Sequence, residues 1–299
     1  MKTYSHLAGL KHVPTEYEIG TTGLLYYPAR GFEVDAPLKG WYEKYQRGSP
    51  LQCSDWDRFT DPRQTTYTRY VTLQKQQEAG VEAILQSIED SGSDRFLSPA
   101  ALELLRRFVA PLRYPFHGLQ MAAAYVGHMA PGGRVVVAAL MQAGDEIRRI
   151  QHVAYRIGQL RRTHPAFGDD GRGIWERDPA FQPLREVLER LLVTYDWGEA
   201  FVALNLCLKP AVDDFVVTRL AGCARAAGVH SLAELLFALR ADCAWQRAWT
   251  DALVTVTITD QPANREHVER WTAEWRPRAG RAIAALAEAV EAVTAGVAP

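Results

Sequence analysis

No C-x-x-C occurs in this chain, and its four cysteines, Cys53, Cys207, Cys223 and Cys243, are widely spaced. A zinc or dithiol redox motif is therefore excluded. In apolar helical context such thiols behave as small buried hydrophobes in a reducing compartment. A charge surplus is absent too: 34 Lys and Arg face 35 Asp and Glu, a net charge of −1. Nothing points to nucleic acid or to an anionic membrane surface. Long apolar runs are missing; "VVVAALM" (135–141) is the strongest. It is far short of the roughly 18 residues of a membrane span. The opening "MKTYSHLAGLKH" has no apolar h-region, so no secretory signal is expected and the location expected is cytoplasmic.

The familiar chemical motifs are also missing. There is no G-x-S-x-G and no Walker A pattern, and "APGG" (130–133) is too short and badly placed for a dinucleotide loop. No two histidines lie four apart, which removes H-E-x-x-H. Di-iron bundles need Glu-x-x-His pairs, because residues three apart share a helix face. The residues three before His6, His12, His117, His128, His152, His164, His230 and His267 are Thr3, Gly9, Tyr114, Tyr125, Arg149, Arg161, Ala227 and Asn264. None is acidic.

What is present is helix. The 299 residues are enough for one large core or two smaller ones. After "TDPRQTTY" (60–67), Asp61 reads as an N-cap with Pro62 at the first helical position, opening a run over 63–90. Further runs span 98–112, capped by Ser98 and Pro99, and 113–129. Others follow at 183–210, 211–228, 231–258 and 264–293. Between them Val136, Leu140, Ala143, Ile147, Ile150, Ala154 and Ile157 recur at steps of four and three, an apolar seam on one long helix. Strand signals are nearly absent, so a large all-α bundle over 61–299 is predicted. Residues 1–60 differ, being rich in aromatics, Gly and Pro without helical period. They read as an extended arm carrying Tyr4, Tyr17, Tyr26, Tyr27, Trp41, Tyr42, Tyr45, Trp56 and Phe59. Such anchors serve either the arm's own bundle or a partner.

"GDEIRRIQH" (144–152) looks like half of a metal motif, with Glu146 in place and Arg149 where a histidine would stand. Two readings fit the spacing. One is an exposed i, i+3 pair contributing a few tenths of a kcal/mol. The other is a buried pair whose guanidinium supplies the charge a metal would supply.

Six segments, in order along the chain, resemble one family: "TYSHLAGLKHVPTEYEI" (3–19), "WYEKYQRGSPLQCSDWDRFTDPRQTTYTRY" (41–70), "PLRYPFHGLQMAAAYVGHMAP" (111–131), "AYRIGQL" (154–160), "DWGEAFVALNLCLKP" (196–210) and "EWRPRAGRA" (274–282). Together they are similar to the β subunit of bacterial multicomponent monooxygenase hydroxylases, in the toluene/o-xylene and phenol branch. The resemblance implies a ferritin-like, ribonucleotide-reductase-like long helix bundle without a metal site of its own. It implies a dimer of αβγ units, with the di-iron centre in the partner α subunit oxidising aromatic or alkene hydrocarbons. A small γ subunit, an effector protein and a Rieske ferredoxin with an NAD(P)H-dependent reductase complete the implied system. It also places Glu146 and Arg149, and in the late helix Asp242 and Trp245, at former ligand positions, with Glu146 and Arg149 touching inside the bundle. The aromatic arm and its junction at 56–67 are expected to grip α, so that truncation leaves a folded bundle unable to associate. Two rival readings remain: a di-iron protein with atypical ligands drawn from Glu78, Glu82, Glu146, Glu199 and Asp242, and a free-standing helical binding protein.

Overall fold

A computed structural model describes residues 4–24 and 37–295. Among them every regular element is helical. The N-terminal segment holds α1 (Glu16–Thr21) and α2 (Pro37–Tyr42), the latter running on into a π turn, Glu43–Arg47. Then come α3 (Tyr67–Ser91), α4 (Pro99–Leu104), α5 (Arg113–Met129), α6 (Gly133–Arg161), α7 (Gly171–Arg177) and α8 (Gln182–Leu192). α9 (Trp197–Val202), α10 (Lys209–Asp214) and α11 (Ala221–Ala226) form one unbroken run, joined by π segments Ala203–Leu208 and Phe215–Leu220. α12 (His230–Phe237), α13 (Arg240–Asp260) and α14 (Asn264–Ala295) close the bundle.

Local chemistry sets most boundaries. Ser98 Oγ accepts from the Ala101 N–H at 3.1 Å with Pro99 behind it, as its sequence predicts. α5 spans the residues expected of it. α3 starts later than predicted. Asp61 caps no helix; its carboxylate accepts from the Arg63 N–H and from Trp245 Nε1, and Thr66 caps α3 instead. The run expected over 183–210 is cut at Asp196, whose side chain accepts from the Glu199 N–H and starts α9. The chain then passes straight through Pro210 into the run expected to begin at 211. A proline ring presses on the carbonyl four residues earlier. The widened π turn ahead of it relieves that crowding. The run expected over 231–258 is likewise two helices, α12 and α13.

The apolar seam of α6 meets the core only in part: Ala143 and Ile157 are buried and Val136 and Ile150 half-buried against it, while Leu140 is 49% exposed, Ile147 46%, and Ala154 is exposed as well. The buried face carries Val135, Ala139, Gln142, Glu146, Arg149, Val153 and Arg156. A hydrophobic period labels a stripe that avoids water, but not which neighbour covers it.

The N-terminal segment packs on its own bundle. Tyr17, Tyr42 and Phe59 are buried, and Trp41, Tyr45 and Trp56 are half-buried against the core. Phe59 meets Trp249 edge-on, and Trp56 meets Trp197 in the same way. Arg134 at the start of α6 ties the segment down, donating to the Asp57 and Phe59 carbonyls and to the Thr22 hydroxyl. The two glycines of "APGG" make room: a Cβ on Gly132 would stand 2.6 Å from Trp56 Cβ, and one on Gly133 2.3 Å from the Leu24 carbonyl oxygen. So the buried aromatics are not free to anchor a partner. Tyr4 is the exposed one among those described, and Tyr26 and Tyr27 lie outside the described residues.

Candidate functional site

Where the long helices converge, four charged side chains meet out of reach of water. Glu146 and Arg149 come from α6, Lys209 and Asp213 from α10, and none is more than 2% exposed. Each pair sits three or four residues apart, so one helix turn aims both members inward. Arg149 Nη1 donates to Asp213 Oδ1 at 2.7 Å and lies 3.4 Å from Glu146 Oε1. Lys209 Nζ lies 3.0 Å from that same Glu146 oxygen and also bonds Asp213. The guanidinium is shared further with the Cys243 thiol, at 3.2 Å, and lies over the Phe116 ring.

Two anions and two cations sum to zero, and burial makes each depend on the others. Desolvation alone would push the Asp213 carboxyl up, but Lys209 and Arg149 outweigh it and hold the group well below the usual carboxylate range. Burial opposes the charge on Arg149 too, and is outweighed by Glu146 and Asp213, which leave it more firmly protonated than usual. Glu146 is the least satisfied member. Its oxygens have ion-pair contacts but no aligned hydrogen-bond donor among the described residues.

A second polar cluster lies beside the quartet. Asp145 accepts from Tyr70 Oη at 2.7 Å, Gln74 Nε2 at 2.8 Å and Gln246 Nε2 at 3.0 Å. Gln74 bridges to Asp242, which also takes a bond from Arg148. Burial first, and the Asp242 charge second, push the Asp145 carboxyl up to about 7. Farther along, Trp249 Nε1 donates to Gln142, whose amide donates to Asn205 on the first π segment.

The expected positions separate accordingly. Glu146 and Arg149 touch and are buried, as the second reading of their spacing requires. Asp242 belongs to the Asp145 cluster instead, and Trp245 turns toward the junction segment, bonding Asp61 and stacking under Arg63. It is Cys243, between them, that reaches Arg149. Lys209 and Asp213 escaped sequence reasoning. The available signal was a lone lysine four residues before an aspartate inside the apolar run "VALNLCLKPAVDDFVV".

A di-iron set does not fit these residues. Glu146 and Asp213 already face an ammonium and a guanidinium at contact distance, which a metal cation would have to displace. The other carboxylates weighed as ligands scatter: Glu78 pairs with His152, Glu82 lines an open groove and Glu199 accepts from Trp275. Among the described residues no three His, Cys, Asp or Glu stand where a metal could be held. No described helix is long and apolar enough to cross a membrane.

These features define a ferritin-like helical bundle with a charge-compensated interior. The chain belongs to the methane/phenol/alkene hydroxylase family, whose model matches residues 41–261. It is 36% identical over 292 residues to the β subunit of the hydroxylase component of the toluene-4-monooxygenase system of Ectopseudomonas mendocina, covering 95% of this chain and 89% of that one. It superposes on a chain of toluene-bound toluene 4-monooxygenase with a TM-score of 0.92, at 35% identity, covering 97% of this chain and 98% of that chain. The phenol 2-monooxygenase of Pseudomonas sp. strain CF600 is matched through two oxygenase components. DmpL is 30% identical over 82% of this chain and 74% of its own length. DmpN is 31% identical over 139 residues, 43% of this chain and 26% of its own length.

Proposed function

We propose that this chain is the non-catalytic β subunit of a multicomponent monooxygenase hydroxylase, built as a dimer of αβγ units in the cytoplasm. Aromatic or alkene hydrocarbons are oxidised at a di-iron centre in the α subunit, with electrons from an NAD(P)H-dependent reductase through a ferredoxin and with an effector protein regulating turnover. The single observation that carries the non-catalytic role is the quartet Glu146, Arg149, Lys209 and Asp213. In this reading the two cations stand in the place where a homologous catalytic chain holds its metal. The β subunit then acts as a rigid support, its helices bearing on those of α.

Co-expression with the α and γ subunits of the same hydroxylase, followed by sizing and metal analysis, tests this. The three chains are expected to purify together, with iron present in proportion to α. The full β chain refolded with ferrous iron is expected to retain none after desalting. Near-stoichiometric iron on β alone, or a β chain indifferent to α, would overturn the reading.

A further inference from the structure

Leu232, Leu235, Leu236 and Leu239 stand three and four residues apart, so α12 and its end turn them to one side. With Val109, Phe116 and Val153 they wall a cavity of about 30 Å³ against α6. All seven side chains are buried. Arg149 and Arg156 complete the buried wall. Their terminal nitrogens are already engaged, Arg149 with Asp213 and Cys243, Arg156 with Asp94 and Gln159. What they add is mostly methylene stem, and the lining is almost wholly apolar. Water, which needs two to four polar partners, is disfavoured there. His152 differs from the rest of the wall in being half-buried. It also lines the groove of about 670 Å³ that opens between α3 and α6. Its ring nitrogen is held there by Glu78 at 2.8 Å.

We propose that this cavity binds one small, uncharged, apolar molecule of two or three heavy atoms, the class of dioxygen and ethene, which enters from the groove past His152. Size fixes the class. The cavity is about one water's share of the liquid, roughly 30 Å³, whereas an engineered cavity of about 150 Å³ holds benzene. An aromatic ring is therefore excluded. A charged ligand is excluded as well, because the quartet is already neutral and Arg156 is matched by Asp94. Dispersion favours a guest, since wall atoms that face a void lack partners on that side. His152 is the side chain of the wall that can swing without unpacking the core. Its movement costs one hydrogen bond to a half-exposed carboxylate, Glu78, so that bond sets access. This site is independent of the subunit reading, since it is built from this chain alone.

The test uses the full chain with isotope-labelled leucine and valine methyls, followed by NMR under dioxygen and, separately, xenon. Dioxygen is paramagnetic and relaxes the methyls it touches; xenon shifts them. The methyls of Val109, Val153, Leu232 and Leu236 are expected to respond about tenfold more than those of Leu104 and Leu204, which are at least as buried but line no part of the cavity. Val153→Ile fills the space and is expected to weaken xenon binding by about tenfold. Leu236→Ala enlarges it and is expected to strengthen binding by about as much. His152→Ala is expected to speed xenon exchange by about tenfold. A uniform response of all buried methyls in the wild type would overturn the site, whether or not the variants fold. So would a folded Val153→Ile with wild-type affinity. A crystal structure with an ordered water bridging the Arg149 and Arg156 Nε groups, which have no hydrogen-bond partner among the described residues, would overturn it too. Unchanged exchange in His152→Ala would overturn the entry route.

Discussion

Arg149 on α6 donates to Asp213 on α10 across the bundle at 2.7 Å, with both side chains fully buried. The link joins two helices whose partners in the quartet, Glu146 and Lys209, are also ion-paired to one another. The interior of this chain is therefore held in part by a closed set of charges, whose members have value only together.

Removing one member strands the rest. Arg149→Ala is expected to lower the unfolding free energy by about 3–5 kcal/mol, since two carboxylates would keep one cation between them. Replacing all four by apolar residues of similar volume is expected to cost far less, and a gain of about 1–4 kcal/mol has precedent in principle. Urea unfolding of the single and quadruple variants distinguishes the two outcomes. Equal destabilisation would show that the charges do not act as a set.

Asp145 predicts a pH dependence of the opposite kind from Asp213. Its carboxyl is raised to about 7 by burial and by Asp242. A raised acid favours the native state while protonated, so its contribution is fully present below about pH 4 and is lost as pH rises through about 7. Asp145→Asn, which keeps the shape, is expected to flatten the stability profile between those limits. Asp213 is lowered, so its contribution is present above about pH 4 and disappears only in stronger acid. Thermal melts from pH 3 to pH 8 on both proteins check this; an unchanged slope in Asp145→Asn would refute it.

Deleting residues 1–60 is expected to abolish folding rather than release a stable bundle. The segment contributes Tyr42, Leu51 and Phe59 to the core, each at or below 1% exposure. Each is worth about 2 kcal/mol of burial, against a total stability of about 5–15 kcal/mol for a typical domain. A truncated chain with native circular dichroism and a cooperative melt would contradict this.

The two faces of α6 can be told apart by a charge scan. Val135→Asp is expected to cost more than about 3 kcal/mol in the full chain, because it places an unpaired carboxylate in the core. Ile147→Asp is expected to stay within about 0.5 kcal/mol. Similar losses at both positions would show Ile147 to be covered within the chain.

Much of the fold was legible because helix ends are written locally. Ser98 with Pro99, and the unbroken run from Arg113 to Met129, need no knowledge of the rest of the chain. Asp61 misled because its side chain is taken by Trp245, 184 residues away, a contact that no local pattern encodes. The face of α6 misled for a related reason: periodicity reports a stripe's aversion to water, not which part of that stripe the rest of the chain covers. At the central site half was visible. Glu146 and Arg149 share a turn, but Lys209 and Asp213 arrive from another helix, and spacing along a sequence says nothing of who faces whom across a core.

The quartet has a further meaning for maturation. A metal-bound bundle draws stability from ion supply by mass action, so its native population tracks the free metal concentration. Here the positive charges at the centre are Arg149 and Lys209, attached to the backbone when the chain is made. Charge neutrality of that interior is thus fixed at translation, at a stoichiometry of one, and no chelator can titrate it away.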